Sequence, residues 1–446
     1  MNRGIPIFVL VFALAFFFVS ERVNLLPSID PDSRTVVSFW AFTFPAQTMR
    51  QLKTSFEDRH PELRVEVQTV SWDNLQEKTL WAVAANSNVP DVIVGSSEWV
   101  GGLANAGALE PLDGEHLSQD FFDRYFPATL GVYQFPEVRR DKPGVRGPLR
   151  QYGIPLDLDL MMIFYRADVL EPVIASIGME DFPEDWDGFL RLGTAVNELV
   201  PGGGAAVHLM HLDPDDPVPL SMAFLPASGA SFLDDKFSRA VFDSPEAVSA
   251  FEFFHRLLKE NCAIRWERAT MEDPMILYKT GRALANISGP WYSKYLERKA
   301  PELSGKWKVA LFPRRAPGLP PGGLGGACLA VPFNAPHKKE AIELIRFMAT
   351  DAFALAYFNR VGSPPPQVTA WNDPVFEQPV PYFGGQQIYH VVRQAIEGAR
   401  PLQLIPNTEI TKGPVRQALR EAAAGANVQA TLNRAVEKAN AILKER

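Results

Sequence analysis

A chain of 446 residues is too long for one ordinary core, and its size alone suggests about two or three domains. With 46% hydrophobic and 22% charged residues it reads as a globular protein, which excludes collagen, coiled coil and wholesale disorder. A net charge of -8 argues against nucleic acid as a partner, since phosphate recognition needs a concentrated basic surface, and only two cysteines exclude a disulfide scaffold and a Cys-rich zinc site.

Arg3 and the uncharged apolar run Ile5 to Val19 have the pattern of an export segment. Ala13-Leu14-Ala15 has cleavage-site spacing, but cutting there would leave Phe16-Phe17-Phe18 as a sticky terminus. The run from Gly4 to Ser20 nearly reaches the roughly 20 residues of a spanning helix. Residues 1–29 are therefore expected to be a signal or anchor segment, with an uncleaved anchor favoured and the remainder exported.

Thr35 to Trp40 is a β-branched apolar run and predicts a buried strand. After Pro45, Met49, Leu52 and Phe56 recur at helical spacing, and the helix should stop before Pro61. Leu63, Val65 and Val67 alternate with polar residues as a second strand. Asp73 to Ala85 predicts a helix with Leu80, Val83 and Ala84 on its apolar side, and Asp91 to Gly95 a third strand. That βαβαβ order predicts a parallel sheet with right-handed crossovers. Ligands in such sheets sit beyond the carboxyl ends of the strands, here Trp40 to Phe44 and Ser96 to Trp99.

Glu137 to Pro148 is charged and Pro/Gly-rich, so a surface loop is expected. Leu158 to Tyr165 is apolar, yet Asp157 and Asp159 accompany it. A second α/β region follows. Ser244 should cap a helix with Pro245 at its first position and Val248, Phe251, Phe254 and Leu258 on its buried face. Cys328 to Val331 predicts a strand, Lys338 to Asn359 one long amphipathic helix, and the chain is helical again from about Pro414. Gly362 and Pro364-Pro365-Pro366 break the chain between the last two. Cys262 and Cys328 pair only if the fold brings them together.

Alternate carboxylates in an apolar run are informative. Period-two spacing puts Asp157 and Asp159 on one face, where burial costs several kcal/mol unless they meet a wet cleft or a partner. The plainer alternative is an exposed strand end.

Four segments, in order, resemble the extracellular solute-binding proteins of ABC importers, in particular the maltose and multiple-sugar group. They are FWAFTFPAQTMRQLKTSFEDRHPELRVEV; VPDVIVGSSEWVGGLANAGALEPLD; YGIPLDLDLMMIFYRADVL with FPEDWDGFL; and YKTGRALANISGPW with GGLGGACLAVP. The resemblance implies an α/β, two-lobed periplasmic-binding-protein-like fold with three hinge crossings and a ligand cleft between the lobes. Laid onto this sequence, the N-terminal lobe would be 32–157 plus 330–362 and the C-terminal lobe 158–329 plus 363–446. Crossings would fall near Leu156 to Met161, Cys328 to Val331 and Gly362 to Pro366.

A sugar needs flat aromatic platforms and a few fixed polar groups. The resemblance implies ligand contacts at Trp40 and Phe42 in the first strand-end loop and at Ser96, Ser97 and Trp99 in the second. It adds Asp157 or Asp159 on the first crossing, and Trp291 with Tyr292 after Ser288-Gly289-Pro290. Packing within a lobe is the plainer role for Trp40 and Phe42. Trp99 equally suits the buried start of a helix, and Trp291 suits packing under its turn. Gly323, Gly325 and Gly326 suit a hinge better than a phosphate loop, because no full GxGxxG opens a helix there. Asp213 to Pro219 departs from the family by its prolines.

The expected function is capture of a carbohydrate or related polar solute for an ABC permease, by a monomer without cofactor or metal. A carbohydrate-active enzyme using Asp157 and Asp159 is the competing class. Glycoside hydrolysis needs carboxyls flanking the scissile bond, and alternate residues on one strand lie on one side of it. There is no HExxH, GxSxG or P-loop, and the seven histidines form no ligand-spaced cluster. A membrane-anchored sensor is a third reading. Acidic residues in the cleft disfavour an anionic ligand unless Arg166 or Arg360 offsets them.

Overall fold

The computed structural model describes residues 33–139, 146–234, 238–266, 273–401 and 411–444. The expected signal or anchor segment at 1–29 lies outside the described residues. Among the described residues no helix is long and apolar enough to cross a membrane.

The chain opens as β1 (Thr35–Ala41), α1 (Thr43–Glu57), β2 (Leu63–Thr69), α2 (Trp72–Ala85) and β3 (Val92–Ser96). β1 pairs in parallel with β2, Thr35 facing Leu63, and with β3, Phe39 facing Val92. The next strands are β4 (Gln134–Val138), β5 (Arg146–Gln151), β6 (Ile154–Pro155), β7 (Asp159–Leu160) and β8 (Met162–Arg166). They are followed by β9 (His208–Leu212), β10 (Ala263–Arg265), β11 (Ala283–Ser288), β12 (Trp307–Leu311), β13 (Gly323–Gly325), β14 (Ala327–Ala330) and β15 (Arg400–Pro401).

Two five-stranded sheets result, in the orders β2-β1-β3-β14-β6 and β10-β9-β11-β8-β12. A small sheet, β15-β13-β7, accompanies them. The chain thus leaves the first sheet after β6 for the second and returns to it between β12 and β14. It leaves again after two helices, α3 (Lys338–Met348) and α4 (Asp351–Val361), whose Leu344, Ile345 and Tyr357 join the first-sheet core with Phe39, Met49 and Phe56. The second sheet packs with Phe189, Phe224, Phe251 and Phe254 and with the C-terminal helices through Leu419 and Leu432. There Trp186 stacks on Phe253 at 4.3 Å and donates its indole N–H to the Pro313 carbonyl. A third core, containing Trp99, Leu158, Phe164 and Leu324, runs between the sheets.

Several local expectations are corrected. Leu80 and Ala84 are exposed and Val83 is only half-buried; α2 instead buries Leu75, Thr79 and Ala82, spaced i, i+4 and i+7. Thr79 fits on that face because its hydroxyl donates to the Leu75 carbonyl at 2.8 Å. The single helix expected over 338–359 is two, because the Thr350 hydroxyl accepts the Phe353 N–H and starts a new helix. The loop expected from Glu137 is flanked by an antiparallel ribbon, β4 with β5. Cys328 and Leu329, expected in the second lobe, lie in β14 of the first sheet. Cys262 precedes β10 of the second sheet, so the two thiols are buried, free and apart.

Candidate ligand-binding cleft

β3 ends at Ser96, where parallel topology predicts a site. Ser97 follows and locks onto the second crossing: its N–H donates to the Gly326 carbonyl at 2.9 Å, and its hydroxyl accepts the Gly326 N–H at 3.2 Å. Gly326 has φ +134°, and a Cβ there would stand 2.6 Å from the Asp157 carbonyl oxygen. Only glycine admits so close an approach without strain.

Asp157, 6% exposed, gathers all three crossings on one carboxylate. Oδ1 accepts the Ala327 N–H at 2.7 Å, Oδ2 accepts the Tyr357 hydroxyl at 3.2 Å, and the Ser363 hydroxyl also bonds to it. Burial nevertheless raises its pKa to about 6, the three hydrogen bonds opposing only in part. Asp159 is pushed further, to about 7, by burial and then by the neighbouring Asp157; the Trp291 side chain and the Leu160 N–H offset this partly. Its Oδ1 is buried without a donor, against Gly289, where any Cβ would overlap it.

Because both carboxyls titrate above the ordinary value of about 3.9, the native state holds more protons than the unfolded chain between about pH 4 and 7. Their contribution is complete at acid pH and is lost as pH rises through 6 and 7. The ligand-free protein is therefore expected to gain stability from this pair at pH 5 relative to pH 8. Urea titrations of the wild type and of Asp159→Asn at both pH values check this, the variant showing the smaller difference.

These groups floor a cavity of about 250 Å³ between the two sheets. Phe42, Phe44 and Trp72 wall it on the first-sheet side, and Met222 and Trp291 on the second. Phe42, Ser96, Ser97, Asp157, Asp159 and Trp291 are thus brought together as the sequence suggested. Trp40, Trp99 and Tyr292 do not line the cavity. Trp40 is buried beneath the Lys78 ammonium, 4.1 Å from its ring. Trp99, 2% exposed, sits at the start of the short helix Val100–Asn105. Tyr292 packs between Phe164 and Tyr295. Arg166 pairs with Asp168 at 2.7 Å, and Arg360 is exposed; neither reaches the cavity.

Phe44, Trp72, Glu98, Met222, Tyr357 and Ser363 are lining residues that the sequence reading did not select. Phe44 and Glu98 lie inside the two strand-end loops it had marked, and Ser363 lies between the Gly and Pro breaks of the third crossing. Met222 follows the proline-rich turn, where Asp216 accepts the Val218 N–H and Pro217–Pro219 leads into a π-helical turn, Leu220–Phe224. Trp72 and Tyr357 carry no local signal.

The lactose-binding protein of Rhizobium radiobacter is 20% identical over 362 residues, covering 78% of this chain and 79% of the relative. Among solved structures, the sugar-binding protein MalE of Xanthomonas citri superposes with a TM-score of 0.75 at 20% identity, over 92% of this chain and 98% of its own. UgpB of Mycobacterium tuberculosis, in complex with glycerophosphocholine, gives 0.72 at 19% identity, over 92% and 98%. At such identities the superpositions establish the two-lobed α/β fold. The model of the bacterial extracellular solute-binding proteins matches residues 42–354, well over half the sequence, and the chain belongs to that family.

Proposed function

We propose that the protein captures a carbohydrate or related polar solute between its two lobes and delivers it to an ABC importer, without chemical turnover. The observation that carries this is a cavity walled from both sheets and floored by the segments that join them. A solute touching both walls favours the arrangement in which the lobes close on it. Stacking surfaces at Phe42 and Trp291, with Ser96, Ser97, Asp157 and Asp159, suit a ring with apolar faces and a hydroxyl rim. The lobes divide as 32–157 with 327–362 and 158–326 with 363–446, so that β14 stays whole. The same reading places the protein outside the cytoplasmic membrane, held there by residues 1–29 if they are retained, and makes permease subunits its partners. The ligand names of the lactose-binding and MalE relatives support a sugar, and that of UgpB widens the class to a glycerophosphodiester.

Thermal unfolding of residues 31–446 against monosaccharides, oligosaccharides, polyols and glycerophosphodiesters tests this. Binding to the native state alone raises Tm with ligand concentration. A shift with one compound class, and no consumption of that compound, is the expected result. No shift across the panel, or turnover of the compound that binds, would sink the proposal.

A further inference from the structure

Resting on the reading of the cleft as a solute site, we infer that its solute is a hydroxyl-bearing organic cation, such as an amine-bearing sugar, in preference to a neutral or anionic one. The charged side chains that line the cavity are Glu98, Asp157 and Asp159, and among the described residues no Lys, Arg or His joins them. The nearby guanidinium of Arg298 is engaged outside the lining, 5.5 Å over the Phe44 ring and donating to the Arg360 carbonyl. Asp157 has its hydrogen bonds supplied by the crossings; Asp159 has the Trp291 side chain and the Leu160 N–H, and its Oδ1, against Gly289, has no donor. A buried carboxylate with no positive partner is costly, and a bound cation removes that cost.

The walls point the same way. Phe42, Trp72 and Trp291 line the cavity together with the carboxylates, and aromatic rings attract a cation most strongly where water is excluded. An ammonium supplies charge and several donors at once; a hydroxyl supplies one donor and no charge. The groups that act on the two carboxyls from the packed elements are Tyr133, Cys328, Tyr357, Ser363, Trp291 and the Ala327 and Leu160 N–H groups, none of them cationic. Burial raises the titration of both carboxyls, Asp157 adds to it at Asp159, and no cationic side chain opposes it. A bound cation favours their ionised forms, so binding near neutral pH expels protons to the buffer.

The experiment is isothermal titration of the full exported chain at pH 6.5 with matched pairs: D-glucosamine and D-glucose, D-galactosamine and D-galactose, choline and 3,3-dimethylbutan-1-ol. D-Glucuronate is the anionic control, and two buffers of different ionisation heat count the protons. The expected result is that the cation of at least one pair binds 10-fold or more tightly than its neutral partner and releases protons. In Asp159→Asn that advantage falls to a few-fold. Should that variant not fold, the wild-type pairs and proton count decide alone. Neutral members binding as well as their cationic partners would overturn the inference and leave the solute-binding proposal standing. No binding by any probe would overturn the inference and leave the solute-binding proposal to the wider thermal panel, and a probe consumed rather than held would overturn the binding proposal itself.

Discussion

Asp157→Ala is expected to lower the stability of the ligand-free protein by about 3 kcal/mol, read from denaturant midpoints at pH 7. The side chain is 6% exposed and serves the Ala327 N–H beside the second crossing, the Ser363 hydroxyl on the third, and the Tyr357 hydroxyl from α4 of the first-sheet core. Each buried donor left without an acceptor costs about 1–3 kcal/mol. Relief of burying a carboxyl that already titrates near 6 offsets part of the sum. Asp157→Asn should lose less, because the amide oxygen can still accept one of these bonds. A loss below about 1 kcal/mol in the alanine variant would show that the crossings hold together without this carboxylate.

Trp291→Ala is expected to weaken solute binding 10- to 100-fold while the fold survives. The ring lines the cavity from the second-sheet side and is only half-buried, at the margin of two cores, so its removal trims a wall at a modest cost in stability. Aromatic stacking of this kind is worth about 1–3 kcal/mol, by analogy with base stacking. The measurement is the dissociation constant for whichever compound raises Tm, with the unliganded Tm as the control for folding. Unchanged affinity in a folded variant would remove Trp291 from the site.

The sequence made the first half of the first sheet legible because β-branched runs, helical spacing and Pro61 all mark the same boundaries. The crossing carboxylates were legible for a physical reason as well: charge within an apolar run needs an explanation, and both carboxyls meet at the cavity. Side-chain direction was not legible. Trp40 and Phe42 lie two apart, but Trp40 falls inside β1 and Phe42 just beyond its end, so only Phe42 turns into the cavity. Tyr292 and Trp291 diverge in the same way across the start of the helix Tyr292–Lys299. Trp72, Met222 and Tyr357 reach the site from a helix start, a π-helical turn and a helix of the first-sheet core, and only the tertiary fold juxtaposes them. Thr350 was missed although its signal was local, since a capping hydroxyl looks like any helical threonine until the backbone turns.

The separation of the two thiols gives each half of the molecule its own chemical clock. Cys328 is wedged in the first sheet beside Gly95 and Gly153, and Cys262 lies against Gly193 beside the second. Burial pushes the Cys262 thiol up to about 11 and that of Cys328 higher still, so neither reacts while its surroundings stay closed. Alkylation at each site therefore proceeds only as fast as that lobe opens, and mass spectrometry of the two peptides resolves the opening of one lobe from that of the other. Occupancy of the cleft engages both walls, so it should slow both clocks together, whereas a defect confined to one lobe speeds only one.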